Sequence, residues 1–83
     1  MTENNVVRLP SAQNYIHKVL RENFVGQNEF CRMIEFDSSY LSKLIGKKHE
    51  PTDRIIRKIA LGLSKLDGQE WKIHAKHIDM ELR

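Results

Sequence analysis

The sequence predicts an all-α protein of five helices in a single domain, and three observations carry that expectation. Apolar residues recur at three- and four-residue spacing in successive stretches, the period of one helical face. Residues suited to cap a helix (Ser11, Asp37, Thr52) stand before several of these stretches, and Gly26, Gly46, Pro51 and Gly68 interrupt them. Apolar residues fill 40% of the 83 positions, which supports one compact core without much surplus.

Residues 1–10 have no periodicity and end in Pro10, so they read as a flexible arm. Residues 11–65 read as the main domain. Ser11 is its expected first cap, followed by a stripe of Ala12, Ile16, Val19, Leu20 and Phe24 with Tyr15 beside it. Val25 and Gly26 break that pattern and Gln27 opens a second helix, with Phe30, Met33 and Ile34 on one face and Cys31 next to them. Asp37 is placed to accept hydrogen bonds from the first N–H groups of a third helix. In that helix Leu41, Leu44 and Ile45 point inward, leaving Ser38, Ser39, Ser42 and Lys43 for the outside, with Tyr40 free to face outward or lie sideways on the domain. Residues 46–51 form a loop, since Gly46 can end a helix and Pro51 cannot continue one. Thr52 caps a fourth helix whose buried side is Ile55, Ile56, Ile59, Ala60 and Leu63.

Residues 66–83 carry the last helix. Trp71, Ala75, Ile78 and Leu82 form one apolar strip, and Ile73, His77 and Met80 a second on another face. A helix with two apolar faces needs two surfaces to bury it. One is expected on the domain and the other on a second copy of the chain, with Trp71, Ile73, Ile78 and Leu82 as dimerisation candidates.

The stretch 26–45, GQNEFCRMIEFDSSYLSKLI, resembles the helix-turn-helix of phage repressors, the Cro-like or Xre family with its lambda-repressor-like fold. That family places a small residue in the first helix of the motif, a glycine four residues on and a branched apolar residue six further. These places fall on Cys31, Glu35 and Leu41. Gln27 stands where the family often carries a glutamine that opens the helix and supports backbone and base contacts. The likeness continues into Pro51-Thr52 and Lys58-Ile59-Ala60 and covers most of the chain, roughly from Ser11 to Leu63. Glu35 departs from the turn glycine, at a cost of about 1 kcal/mol if its φ is positive. Ser38 stands where several relatives have a base-reading glutamine, which leaves the base preference open.

Charge is distributed unevenly along the chain. Of the formal net charge of +3, residues 37–65 hold an excess of basic side chains (Lys43, Lys47, Lys48, Arg54, Arg57, Lys58 and Lys65) over Asp37, Glu50 and Asp53. Residues 1–36 are balanced and 66–83 slightly acidic. A basic excess centred on the third helix and its flanks is the footprint expected of a nucleic-acid face.

The resemblance implies a sequence-specific regulator of transcription, a small repressor that occupies a promoter as a homodimer on a near-palindromic operator in double-stranded DNA. The expected contacts are Gln27, Ser38, Ser39, Tyr40, Ser42 and Lys43, with Lys47 and Lys48 on phosphates. Arg8 in the arm either enters a minor groove or stays in solvent. The alternative is a protein-interaction module such as an antitoxin or antirepressor. No glycine-rich phosphate loop, nucleophile motif or catalytic dyad points to an enzyme, a cofactor or a small-molecule ligand. His74 and His77 lack partners at metal-binding spacing and read as surface or interface residues. The single cysteine, Cys31, reads as a small buried hydrophobe. A mean hydropathy of −0.55, with no spanning apolar run or signal-peptide pattern, predicts a cytoplasmic protein, nucleoid-associated when bound to DNA.

Overall fold

A computed structural model of the protein describes residues 14–83, which form five helices and, among the described residues, no strand. The expected arm over 1–10 with Arg8, and the expected cap Ser11 with Ala12, lie outside them. The helices are α1 (Tyr15–Glu22), α2 (Gln27–Ile34), α3 (Ser38–Ile45), α4 (Asp53–Asp67) and α5 (Trp71–Leu82). No helix among the described residues is long and apolar enough to cross a membrane.

Short polar side chains start three of these helices by taking an N–H that has no intrahelical partner. Asn14 Oδ1 accepts from the His17 N–H at 2.9 Å, Asp37 Oδ1 from Ser39 at 3.2 Å and Thr52 Oγ1 from Ile55 at 3.2 Å. The helix ends share a second device. After each of the first three helices one residue turns left-handed, and none is glycine: Phe24 (φ 58°), Glu35 (φ 57°) and Lys47 (φ 62°). In each case the N–H at or beside the turn reaches back to a carbonyl five residues earlier: Val25 to Leu20, Phe36 to Cys31 and Lys48 to Lys43. A left-handed L-residue costs about 1–2 kcal/mol. Val25 and Phe36, the residues after the first two, tuck against the core, and burying such a side chain contributes about 1.5–3 kcal/mol at most. The two effects nearly offset, so glycine is not required at either place.

This local geometry corrects two expected core positions. α1 stops at Glu22, and the left-handed Phe24 carries its ring outward to 93% exposure while Val25 turns inward. On α2 the buried side runs through Phe30, Cys31 and the half-buried Ile34, leaving Met33 42% exposed. The reason lies on α4. Gly62 offers no side chain where α2 crosses, and a Cβ built there would sit 2.5 Å from Ile34 Cγ2 and 2.9 Å from the Phe30 ring.

Around that crossing Ile16, Leu20, Leu41, Leu44, Ile59 and Leu63 complete the centre of the core. α5 lies along α4 and also touches α1, and it adds Ile78 and Leu82 to the same core. His74 is fully buried there, so the expectation of a surface or interface histidine is corrected for this residue. The Tyr15 hydroxyl donates to His74 Nδ1 at 2.7 Å, and His74 Nε2 donates to Asp67 Oδ1 at 3.0 Å. A carboxylate only accepts, which assigns the ring proton to Nε2 and leaves Nδ1 for the tyrosine. Burial, with the Asp67 carboxylate adding to it, holds the Tyr15 phenol above its ordinary pKa, in keeping with a hydroxyl that donates. The Tyr15 N–H also donates to Glu81 Oε1 at 2.7 Å, and the His77 ring stacks on Tyr15 at 4.7 Å. Polar bonds thus join the two ends of the described chain across an otherwise apolar interior.

Candidate nucleic-acid interface

The surface of interest is the outside of α3. At about 100° per residue, Ser39, Ser42, Lys43 and Gly46 fall on one arc opposite Leu41 and Leu44. All four are exposed, whereas Leu41 and Leu44 are fully buried. Apart from Lys43 nothing on the arc is larger than a serine. Lys47 and Lys48 follow in the loop, both exposed. The left-handed Lys47 turns the chain away from the helix axis at that point.

Gln27, at the first turn of α2, ties this helix to two others. Its Oε1 accepts from His17 Nε2 at 2.7 Å, while the two hydrogens of its Nε2 are shared among the Ser38 carbonyl at 3.1 Å, Ser38 Oγ at 3.1 Å and Ser42 Oγ at 2.9 Å. The Ser38 carbonyl can only accept, which settles which end of the amide faces α3. Ser38 then donates its own proton to Asn28 Oδ1 at 2.7 Å. His17 is held from behind by Asn14 Nδ2 at 3.2 Å from its Nδ1. Side chains of α1, α2 and α3 therefore form one hydrogen-bonded chain that ends at the exposed Ser42 hydroxyl.

The expected contact residues divide on this geometry. Ser39, Ser42, Lys43, Lys47 and Lys48 are exposed on the arc or just beyond it. Gln27 and Ser38 are half-buried and bonded to one another, so they brace the arc from beside it. Tyr40 is off the arc. It is half-buried and lies sideways on the domain, its ring 5.6 Å from Phe36 and 5.5 Å from His49. Asn28 and His17 belong to the assembly and were not expected. Asn28 follows the glutamine that opens α2, a sequence cue that points to it; His17 lies ten residues before its partner and carries no such signal.

Cys31 is buried, and burial pushes its thiol above the ordinary value, partly opposed by the nearby Ser38 side chain. It behaves as a small hydrophobe.

The four dimerisation candidates on α5 also separate. Ile78 and Leu82 are buried within the chain's own core, at 0% and 6% exposure, and cannot face a partner; this corrects the expectation for both. Trp71 is half-buried, with the Arg57 guanidinium 5.2 Å over its ring. Ile73 remains exposed, in line with His77 and Met80 on the second strip. Packing against α4 and α1 consumed the first strip.

No family model, curated protein or solved structure matches this chain.

Proposed function

We propose that the protein binds double-stranded DNA through α3, as a helix-turn-helix regulator of transcription that occupies a promoter as a homodimer. The observation that carries this reading is the exposed arc of α3. A helix with its side chains is about 10–12 Å across, and the major groove is about 12 Å wide. Only a helix with a trimmed outer face seats deeply in such a groove, and Ser39, Ser42 and Gly46 trim this one. Lys43 on the arc and Lys47 and Lys48 after it supply positive charge where phosphates flank the groove. The exposed strip Ile73, His77 and Met80 supports a second copy of the chain as the partner, because the surrounding segment lacks the basic excess that phosphates attract.

Fluorescence anisotropy of a labelled random-sequence duplex, titrated at several salt concentrations, tests the reading. Affinity should fall as salt rises. Lys47→Ala with Lys48→Ala should lower the slope of log affinity against log salt by about 0.9 for each phosphate that the variant no longer neutralises. An affinity absent or insensitive to salt rejects DNA binding and favours a protein-interaction module.

A further inference from the structure

The hydrogen bonds around Gln27 do more than hold helices together; they decide which atoms of the interface are left to face outward. Ser42 Oγ accepts from Gln27 Nε2 at 2.9 Å. Among the described residues its proton has no inward destination. The carbonyl four residues back, Ser38, already takes the Gln27 amide and, by helix geometry, the Ser42 backbone N–H. Ser42 therefore presents its O–H donor to the outside, beside one remaining lone pair. Asn28 is oriented by the same chain: Ser38 gives its proton to Asn28 Oδ1, which leaves the two hydrogens of the Asn28 amide nitrogen available to a ligand at an exposed position. Lys43 beside them can only donate.

Resting on the DNA-binding reading above, we propose that this surface selects guanine in the major groove, with Ser42, Asn28 and Lys43 as its specificity-determining donors. Guanine is the base that presents two acceptors, N7 and O6, on that edge, whereas adenine pairs its N7 with an N6 donor and cytosine offers only a donor. A face on which donors predominate meets its poorest match on cytosine, half a match on adenine and the single acceptor O4 on thymine. Ser39 does not discriminate, because its hydroxyl is free to donate or accept. Gln27 acts as a positioning residue, and His17, by holding the carbonyl end of the Gln27 amide, keeps the donor end toward α3.

Phosphate oxygens are acceptors too, so bases and backbone are separated by experiment. Selection from a random duplex pool with the whole protein should enrich guanine at fixed positions. Replacing one selected guanine by 7-deazaguanine, which removes N7 and leaves the backbone intact, should weaken binding by about tenfold. Asn28→Asp keeps the oxygen that accepts from Ser38 but replaces the amide nitrogen with a second acceptor. It should lose guanine at one position and gain adenine or cytosine there, with the other positions unchanged. Ser42→Ala should relax a different position. Salt-sensitive binding that enriches no guanine, or that ignores 7-deazaguanine throughout, overturns the guanine proposal while leaving DNA binding in place. Failure to bind any duplex overturns the reading on which it rests.

Discussion

Glu35 and Gly62 are two residues at which backbone and side-chain needs are mismatched in opposite ways. Glu35 carries a side chain at φ 57°, a conformation glycine reaches freely. Glu35→Gly should therefore raise stability by about 1 kcal/mol, an effect reduced by the extra freedom glycine gives the unfolded chain. Urea unfolding reads the midpoint directly, and an unchanged or lower midpoint would show that the left-handed turn costs little. Gly62 is the reverse, a glycine inside a helix where alanine is normally preferred by about 1 kcal/mol. Here the missing methyl is what lets Phe30 and Ile34 approach. Gly62→Ala should destabilise by about 1–3 kcal/mol, as overpacking does. A stabilised variant would mean that α2 shifts aside freely.

At the scale of the helix, α5 presents one strip to the core and leaves another in solvent. Ile73 is 45% and Met80 70% exposed, one turn on either side of His77. Replacing both with glutamate should leave the monomer folded, because neither contributes to the core, and should abolish self-association by burying charge against charge. Sedimentation of the intact and doubly substituted proteins checks this; an intact protein that stays monomeric at high concentration and on DNA would remove the dimer from the proposal. Much of this level was legible in the sequence. Helical spacing marked Ile16, Val19 and Leu20, Leu41 and Leu44, and Ile56, Ile59 and Leu63 as buried, and Asp37 and Thr52 as caps. The failures cluster where a helix ends or meets another. Phe24 fell off its stripe because the helix stopped two residues earlier, and Met33 lies off the face on which Phe30 and Ile34 close against Gly62. The choice between the two strips of α5 depended on what α1 and α4 offered, which no local period encodes. The bracing of the α3 arc was likewise hidden, since His17, Gln27 and Ser42 come from three helices.

Across the whole molecule, the bond between Asp67 and His74 links stability to pH. Burial pushes the Asp67 carboxyl up, but the Gln69 N–H and the His74 ring outweigh it, and the native pKa lies below the ordinary value. The unfolded chain therefore takes up this proton more readily than the folded one. The contribution is complete above the ordinary carboxylate range near about 4, and it is lost as pH falls through the lower native value. Asp67→Asn should be less stable than the natural protein at neutral pH, and the difference should narrow on acidification across that window. Unfolding midpoints measured from neutral to strongly acidic pH follow it; a difference that stays constant would assign the acid response to other carboxylates.

The joint between Tyr15 and α5 also has a temporal meaning. Glu81 is 66 positions beyond the N–H it receives, and His74 is 59 beyond the hydroxyl it holds. A ribosome adds about 5–20 residues per second, so the first of these partners waits roughly three to thirteen seconds for the other to be made. Once α4 is made and before α5 is, α1 has α2 and α4 to lean on but not the last helix, and the face of α4 that α5 covers is bare. A transcript broken or a ribosome stalled before Glu81 releases a chain in that open state, with apolar surface available to chaperones and proteases.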